Sequence, residues 1–235
     1  MTLPTQKLPK YRIKMPSTGE SVSYRPFVVK EQKVLMIAME SGEYSMVADA
    51  IKHIVHECTF NTIDVENLSV FDLTYVFLNI RAKSVGETAE PLISCDACGH
   101  QNPVVVELTK IKVKNNKNHN KKISLDNDFG IVMKYPRINP DIGDVESASN
   151  IANAPIMAVA ECIDLIYKGD DVFKAKECEE KELIDFIEGL THKQFEKIID
   201  FFETMPKLSH TVKFKCSECE KDNSVQLEGL GDFFL

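Results

Sequence analysis

Apolar positions recur at two different periods along the chain, and the changes of period divide it into segments. Tyr11-Arg-Ile-Lys and Ser21-Val-Ser-Tyr alternate apolar and polar residues, as strands do, and Ser17-Thr-Gly-Glu between them reads as a turn. A hairpin or extended arm is therefore predicted within residues 1–28. After Pro26 the period becomes helical: Val34, Leu35, Ala38 and Met39 fall on one face, with Gly42 as the stop. A second helix carries Met46, Val47, Ala50, Ile51, Ile54 and Val55. A third opens at Ser69 with Asp72 three residues on, a relative of the capping box, and presents Leu73, Val76, Phe77 and Ile80. Residues 29–86 should form a helical segment whose members bury one another's apolar faces.

Alternation then returns. Thr88 to Ser94 and Pro103 to Leu108 flank a Cys-x-x-Cys turn, and Ile123 to Tyr135 predicts further strand with a turn at Asn127 to Gly130. Beyond Pro140, Asn153 or Ala154 should cap a helix with Pro155 in its first turn. That helix buries Ile156, Val159, Ala160, Ile163 and Ile166 and ends before Gly169. A short helix with Leu183, Phe186 and Ile187 ends near Gly189. The Thr191 to Gln194 capping box opens another, with Phe195, Ile198, Ile199 and Phe202, and Pro206 stops it. The last segment, from His210 to about Leu230, reads strand, Cys-x-x-Cys, strand. The predicted class is α+β: an arm (1–28), a helical segment (29–86), a zinc ribbon split into 87–135 and 207–235, and a helical insertion (136–206).

Candidate chemistry concentrates in the cysteines. The two Cys-x-x-Cys units match beyond their sulfurs: Asn102 and Asn223 stand four residues after Cys98 and Cys219, Val104 and Val225 six, Val106 and Leu227 eight, Glu107 and Glu228 nine. Ile93 and Phe214 match two residues before Cys95 and Cys216. The repeat reads strand, knuckle, strand. Two intervening residues let both thiolates of a turn face one metal, and two turns complete a tetrahedral set. Cys95, Cys98, Cys216 and Cys219 are thus the predicted ligands of one structural zinc ion (Zn2+), closed to substrate. The gap from Cys98 to Cys216 far exceeds that of a plain ribbon, so the helical segment must be an insertion. Redox cycling is the competing reading, but neither motif leads into a helix as a redox Cys-x-x-Cys does. His100 is a possible substitute ligand, read more simply as a solvent-facing turn residue.

The remaining candidates read blandly. His53, His56, Glu57 and Cys58 fit a helix surface, and Cys162 and Cys178 fit helical packing. Lys110 to Lys122 holds six lysines and no acid, and with its asparagines suggests a solvated loop. The acidic stretch 170–188 suggests a solvated helix face. The end, Gly229-Leu-Gly-Asp-Phe-Phe-Leu, suggests a docking tail or packing onto the chain's own core.

Composition narrows the setting. The 235 residues carry a formal net charge of −8, which argues against a general nucleic-acid binder. No apolar run approaches the roughly 20 residues of a membrane span, and the N-terminus lacks a signal-peptide stretch. The expected setting is a reducing cytoplasm, where seven cysteines favour metal binding over disulfides. No phosphate loop, nucleophile elbow, paired-carboxylate site or zincin motif is present, so no enzymatic activity is expected.

The stretch from Tyr11 to Ser41, in which a strand pair leads through Arg25-Pro-Phe and Lys30-Glu into the first helix, resembles the opening of the baseplate hub family of T4-like bacteriophages. The later helices, the mid-chain knuckle and its C-terminal counterpart follow the same plan. The resemblance implies a non-enzymatic tail component, a hub subunit or hub assembly factor. Its partners would be other tail or baseplate hub proteins, and it would work in the host cytoplasm during assembly and in the virion if it stays there. The rival readings are a zinc-ribbon nucleic-acid adaptor and a redox-active Cys-x-x-Cys chaperone.

Overall fold

Strands β1 (Tyr11–Lys14) and β2 (Ser21–Tyr24) pair antiparallel with Tyr11 opposite Tyr24, the hairpin expected from their alternation. The structure, a computed structural model, describes residues 7–138 and 156–228. The proposed cap at Asn153 to Pro155 and the tail Gly229 to Leu235 lie outside them. The described residues divide into two compact units, one of residues 7–114 and 207–228, the other of 115–138 and 156–206. Helix and sheet are mixed throughout, as the α+β prediction requires.

In the first unit, helices α1 (Val29–Ser41), α2 (Tyr44–Cys58) and α3 (Val70–Ser84) follow the hairpin. The α3 prediction holds in detail. Ser69 Oγ accepts the Asp72 N–H at its N-terminus, and Leu73, Val76, Phe77 and Ile80 are all buried. So are Phe71, Leu78 and Ala82 on its other sides, which makes α3 the central helix of the unit. Asp72 Oδ1 also accepts the Ser17 N–H at 3.1 Å, fastening the hairpin turn to the helix start.

The α1 prediction needs correction. Val34 and Met39, expected inside, are 41% and 37% exposed, whereas Glu31 and Ala38 are the buried residues of this helix. The inner line runs Glu31, Leu35, Ala38, rotated from the predicted stripe. A carboxylate occupies an inner position because partners meet it there: Arg25 Nη2 at 2.9 Å and the Val28 N–H at 2.8 Å. On α2, Met46 is likewise exposed, and Ala50, Ile51, Ile54 and Val55 are buried as expected.

The second unit is built on a sheet ordered β11-β10-β9-β8, all antiparallel: β8 (Lys122–Asp126), β9 (Phe129–Met133), β10 (Ile163–Lys168) and β11 (Asp171–Lys174). Residues 123–135, grouped by sequence with the ribbon, instead supply β8 and β9 of this sheet, and β9 pairs with β10. The helix expected through Ile166 is α4 (Ile156–Glu161), and the chain turns extended at Ile163. A register shift between Ile163 and Leu165 lets Ile163 and Ile166 both face the core although they stand three residues apart. Within a strand that spacing imitates a helical period, and pairing with β9 and β11 overrides it. The insertion is therefore mixed rather than helical.

Helix α5 (Glu180–Glu188) ends at Gly189 as expected, and α6 (His192–Thr204) opens at the predicted Thr191–Gln194 box. The Glu179 and Thr191 N–H groups bond back to Glu182 and Gln194. Leu183, Ile187, Ile198, Phe201 and Phe202 join Ile131, Met133 and Ile163 in the core. Gly130 lies opposite Tyr167, whose hydroxyl, with the Ile123 carbonyl, fills the space a Cβ would need. Within the stretch predicted as a solvated loop, His119 is anchored: its ring lies 4.9 Å from Phe201, and its Nδ1 lies 3.1 Å from Thr204 Oγ1.

The rest of the first unit is short strand. β3 (Thr88–Ala89) pairs with β6 (Val106–Glu107), and β4 (Leu92–Ser94) with β5 (Gln101–Pro103). β7 (Lys112–Lys114), β12 (Lys207–Lys215) and β13 (Asp222–Glu228) form a sheet with β12 central. Ile93, Val104, Val106, Leu208, Val212 and Leu227 share one core with Leu78 and Ala82 of α3. Two hairpins, one mid-chain and one C-terminal, thus share a core with one helix.

Candidate metal centre

Each Cys-x-x-Cys occupies the turn of a hairpin, β4–β5 or β12–β13, and the two turns are built alike. The Cys95 N–H donates to His100 O and the Gly99 N–H to Cys95 O, both at 2.9 Å. The Cys216 N–H donates to Lys221 O at 2.9 Å and the Glu220 N–H to Cys216 O at 3.0 Å. Gly99 and Glu220, one residue past the second cysteine, both adopt left-handed backbone, with φ of 72° and 58°. The strand registers repeat too: Ile93 opposes Asn102, and Phe214 opposes Asn223. The strand–knuckle–strand repeat read from sequence is a repeat of structure.

The four sulfurs converge. All lie within 4.8 Å of one another, with Cys95 Sγ 3.6 Å from Cys219 Sγ and Cys98 Sγ 3.7 Å from Cys216 Sγ. Zn–S bonds of ~2.3 Å in a tetrahedron separate sulfurs by ~3.8 Å, so the set has the size a zinc ion requires. In each knuckle the first cysteine is buried and the second exposed.

Two asparagines join the knuckles. Asn102 Nδ2 donates to His100 O in its own turn, while its Oδ1 accepts the Ser217 N–H of the other at 2.9 Å. Asn223 Nδ2 donates to Lys221 O, and its Oδ1 accepts the Asp96 N–H at 3.1 Å. Asn102 Nδ2 also lies 3.6 Å from Cys216 Sγ.

These donors tune the thiols. The N–H groups of Ala97 and Cys98, joined by Asn223, hold Cys95 down at about 6 against the cost of burial. The Cys219 and Glu218 N–H groups and Asn102 lower Cys216 in the same way. The His100 N–H pulls Cys98 down, but the sulfurs of Cys219, Cys216 and Cys95, with burial, push it up to about 12. Like charges so close cannot all ionise without a neutralising cation, and a divalent metal is the cation that donor set takes. The residues present fit zinc. Four thiolates leave no open coordination position, so the centre would shape the fold and offer no site for a reacting substrate.

The other candidates do not converge. Among the described residues the four cysteines are the one cluster of this kind. The His100 side chain is exposed and stands outside it. His53 is exposed and His56 half-buried on α2, while Cys58 is buried and its thiol pushed up to about 11. Burial pushes Cys162 up to about 12, and Cys178 is half-buried. What sequence reasoning noted without assigning was the role of Asn102 and Asn223, whose signal was their shared offset from the knuckles.

No helix among the described residues is long and apolar enough to cross a membrane. No curated protein and no solved structure matches the chain. The profile of one family, described as T4 bacteriophage base plate protein, matches residues 8–235, which takes in both knuckles and the N-terminal hairpin and helices. The chain belongs to that family.

Proposed function

We propose that this chain is a non-enzymatic hub component of the phage baseplate, a hub subunit or hub assembly factor, that works through contacts with other tail proteins. In this reading one structural zinc, held by Cys95, Cys98, Cys216 and Cys219, completes a zinc ribbon split by the inserted unit. The observation that carries it is the convergence of four sulfurs from two matching knuckles in a chain of a baseplate family. Zinc would clip together positions 118 residues apart. In the chain-entropy account a crosslink closing a loop of that length stabilises by about 5 kcal/mol. The clip would hold the ribbon on α3 and so fix the surfaces that the first unit offers to partners. Assembly takes place in the host cytoplasm.

Co-expression with the other hub proteins of the same phage tests the reading. A stable complex that forms with wild-type chain and is lost in the Cys95→Ser, Cys216→Ser double variant supports it. A chain that purifies alone, with no hub protein bound under any salt condition, contradicts it.

A further inference from the structure

The lysine-rich stretch divides in the structure. In the second unit, Lys121 and Lys122 lie over the rings of Tyr135 and Tyr167. In the first, Lys112 and Lys114 enter β7 and join a sheet face whose character sequence alone does not reveal. Residues directly opposite in an antiparallel pair share a face, and alternate residues along a strand do likewise. Lys207 opposes Lys114, and Ser209 opposes Lys112. Along β12 the same face continues through Thr211, Lys213 and Lys215, bordered on β13 by Asp222, Ser224, Gln226 and Glu228. The other face carries Leu208, Val212 and Leu227 into the core.

Lys215 pairs with Glu220 at 3.3 Å. Lys112, Lys114, Lys207 and Lys213 have no ion pair among the described residues. The direct Lys114–Lys207 opposition costs stability, because like charges across a ladder repel. It persists in a chain whose net charge is −8. Folding does not require such a face, and a complementary partner explains it.

We propose that the outer face of β7, β12 and β13 binds an extended, carboxylate-rich segment of another protein, held by Lys112, Lys114, Lys207 and Lys213. From Lys207 to Lys213 the face runs roughly 20 Å, about six residues of extended chain, with Lys112, Lys114 and Lys207 grouped at one end and Lys213 at the other. Nucleic acid fits less well. The uncharged positions of the face are the buried Ser209 and the exposed Thr211, Ser224 and Gln226, so it has no aromatic platform for bases. This inference rests on the assembly reading and names the surface that reading leaves open.

The test uses full-length protein, a fluorescent peptide of alternating glutamate and serine, and an oligothymidylate of equal charge, with anisotropy followed across salt concentrations. The variants are Lys112→Glu with Lys114→Glu, and Lys207→Glu with Lys213→Glu. Each turns the Lys114–Lys207 repulsion into an attraction, so thermal unfolding should stay at or above wild type. The four Lys→Arg changes together keep the charge. Peptide binding that falls at least about tenfold in both Glu variants, persists in the Arg variant and weakens with salt is the expected result. Peptide binding unchanged by the Glu variants overturns the proposal, as does tighter binding of the oligonucleotide through the same lysines. A wild-type chain that forms a hub complex, with Glu variants that form it equally well, overturns this surface and leaves the assembly reading standing. A wild-type chain that forms none counts against the assembly reading itself.

Discussion

Asn102 and Asn223 each fasten their own knuckle and hold the backbone of the other, through Ser217 and Asp96. Both are buried, and the bonds they exchange span about half the chain's length in sequence. An amide suits this position because it donates to a carbonyl in its own turn and accepts an N–H from the opposite one. The knuckles are therefore matched to each other by hydrogen bonds as well as by the metal they are suited to share.

Removing either buried amide breaks two hydrogen bonds, one to a carbonyl of its own turn and one from an N–H of the other. Asn102→Ala and Asn223→Ala should each destabilise the fold by about 1–3 kcal/mol, read from denaturant unfolding of metal-loaded protein. Asn→Asp should not rescue, because a carboxylate keeps the acceptor and lacks the donor. Unfolding curves that superimpose on wild type would show that the bonds do not support the centre.

Glu220 holds the left-handed position that Gly99 occupies in the first knuckle. A non-glycine residue there costs about 1 kcal/mol, and the exposed Lys215 pair offsets little of it. Glu220→Gly should raise stability by about 0.5–1 kcal/mol, while Gly99→Glu should lower it by a similar amount. Opposite signs would mean that the two turns are not equivalent.

Glu31 is the buried carboxylate of α1, with its side chain 1% exposed. Burial acts to raise its pKa, but the Val28 N–H and Arg25 outweigh it and leave it below the usual 4.5. A carboxylate with a depressed folded pKa contributes stability in full above its unfolded value and loses it as pH falls through the folded one. Acid unfolding of wild type should therefore steepen below 4.5, and Glu31→Gln should flatten that limb. At neutral pH, Arg25→Ala should cost about 1.5–3 kcal/mol by removing the closer of two cations, since the exposed Lys30, 3.3 Å away, stays on the carboxylate. Equal acid limbs in wild type and Glu31→Gln would refute the assignment.

Local signals carried much of this architecture. The caps at Ser69 and Thr191, the hairpin alternation around Gly19 and the knuckle spacing each depend on a few neighbouring residues, and each was readable. Readings failed where a distant partner decides. The α1 face was misplaced because Arg25 makes burial of Glu31 tolerable. The strand at Ile163 carries a helical period in its sequence because a register shift against β9 brings Ile163 and Ile166 to one side. The site divides the same way. Its four ligand candidates and the repeated asparagine were visible in the spacing, whereas the bonds each asparagine makes require the two hairpins to face each other.

In the proposed centre the two knuckles hold one zinc, and this zinc maintains the ribbon. Native mass spectrometry of the purified chain, beside Cys95→Ser and Cys216→Ser, tests it most directly, with thermal unfolding before and after chelation. One zinc per chain, absent from both variants and lost together with several degrees of thermal stability on chelation, is the predicted result. A metal-free wild type, folded as stably as the variants and cycling reversibly between dithiol and disulfide at each Cys-x-x-Cys, would contradict it.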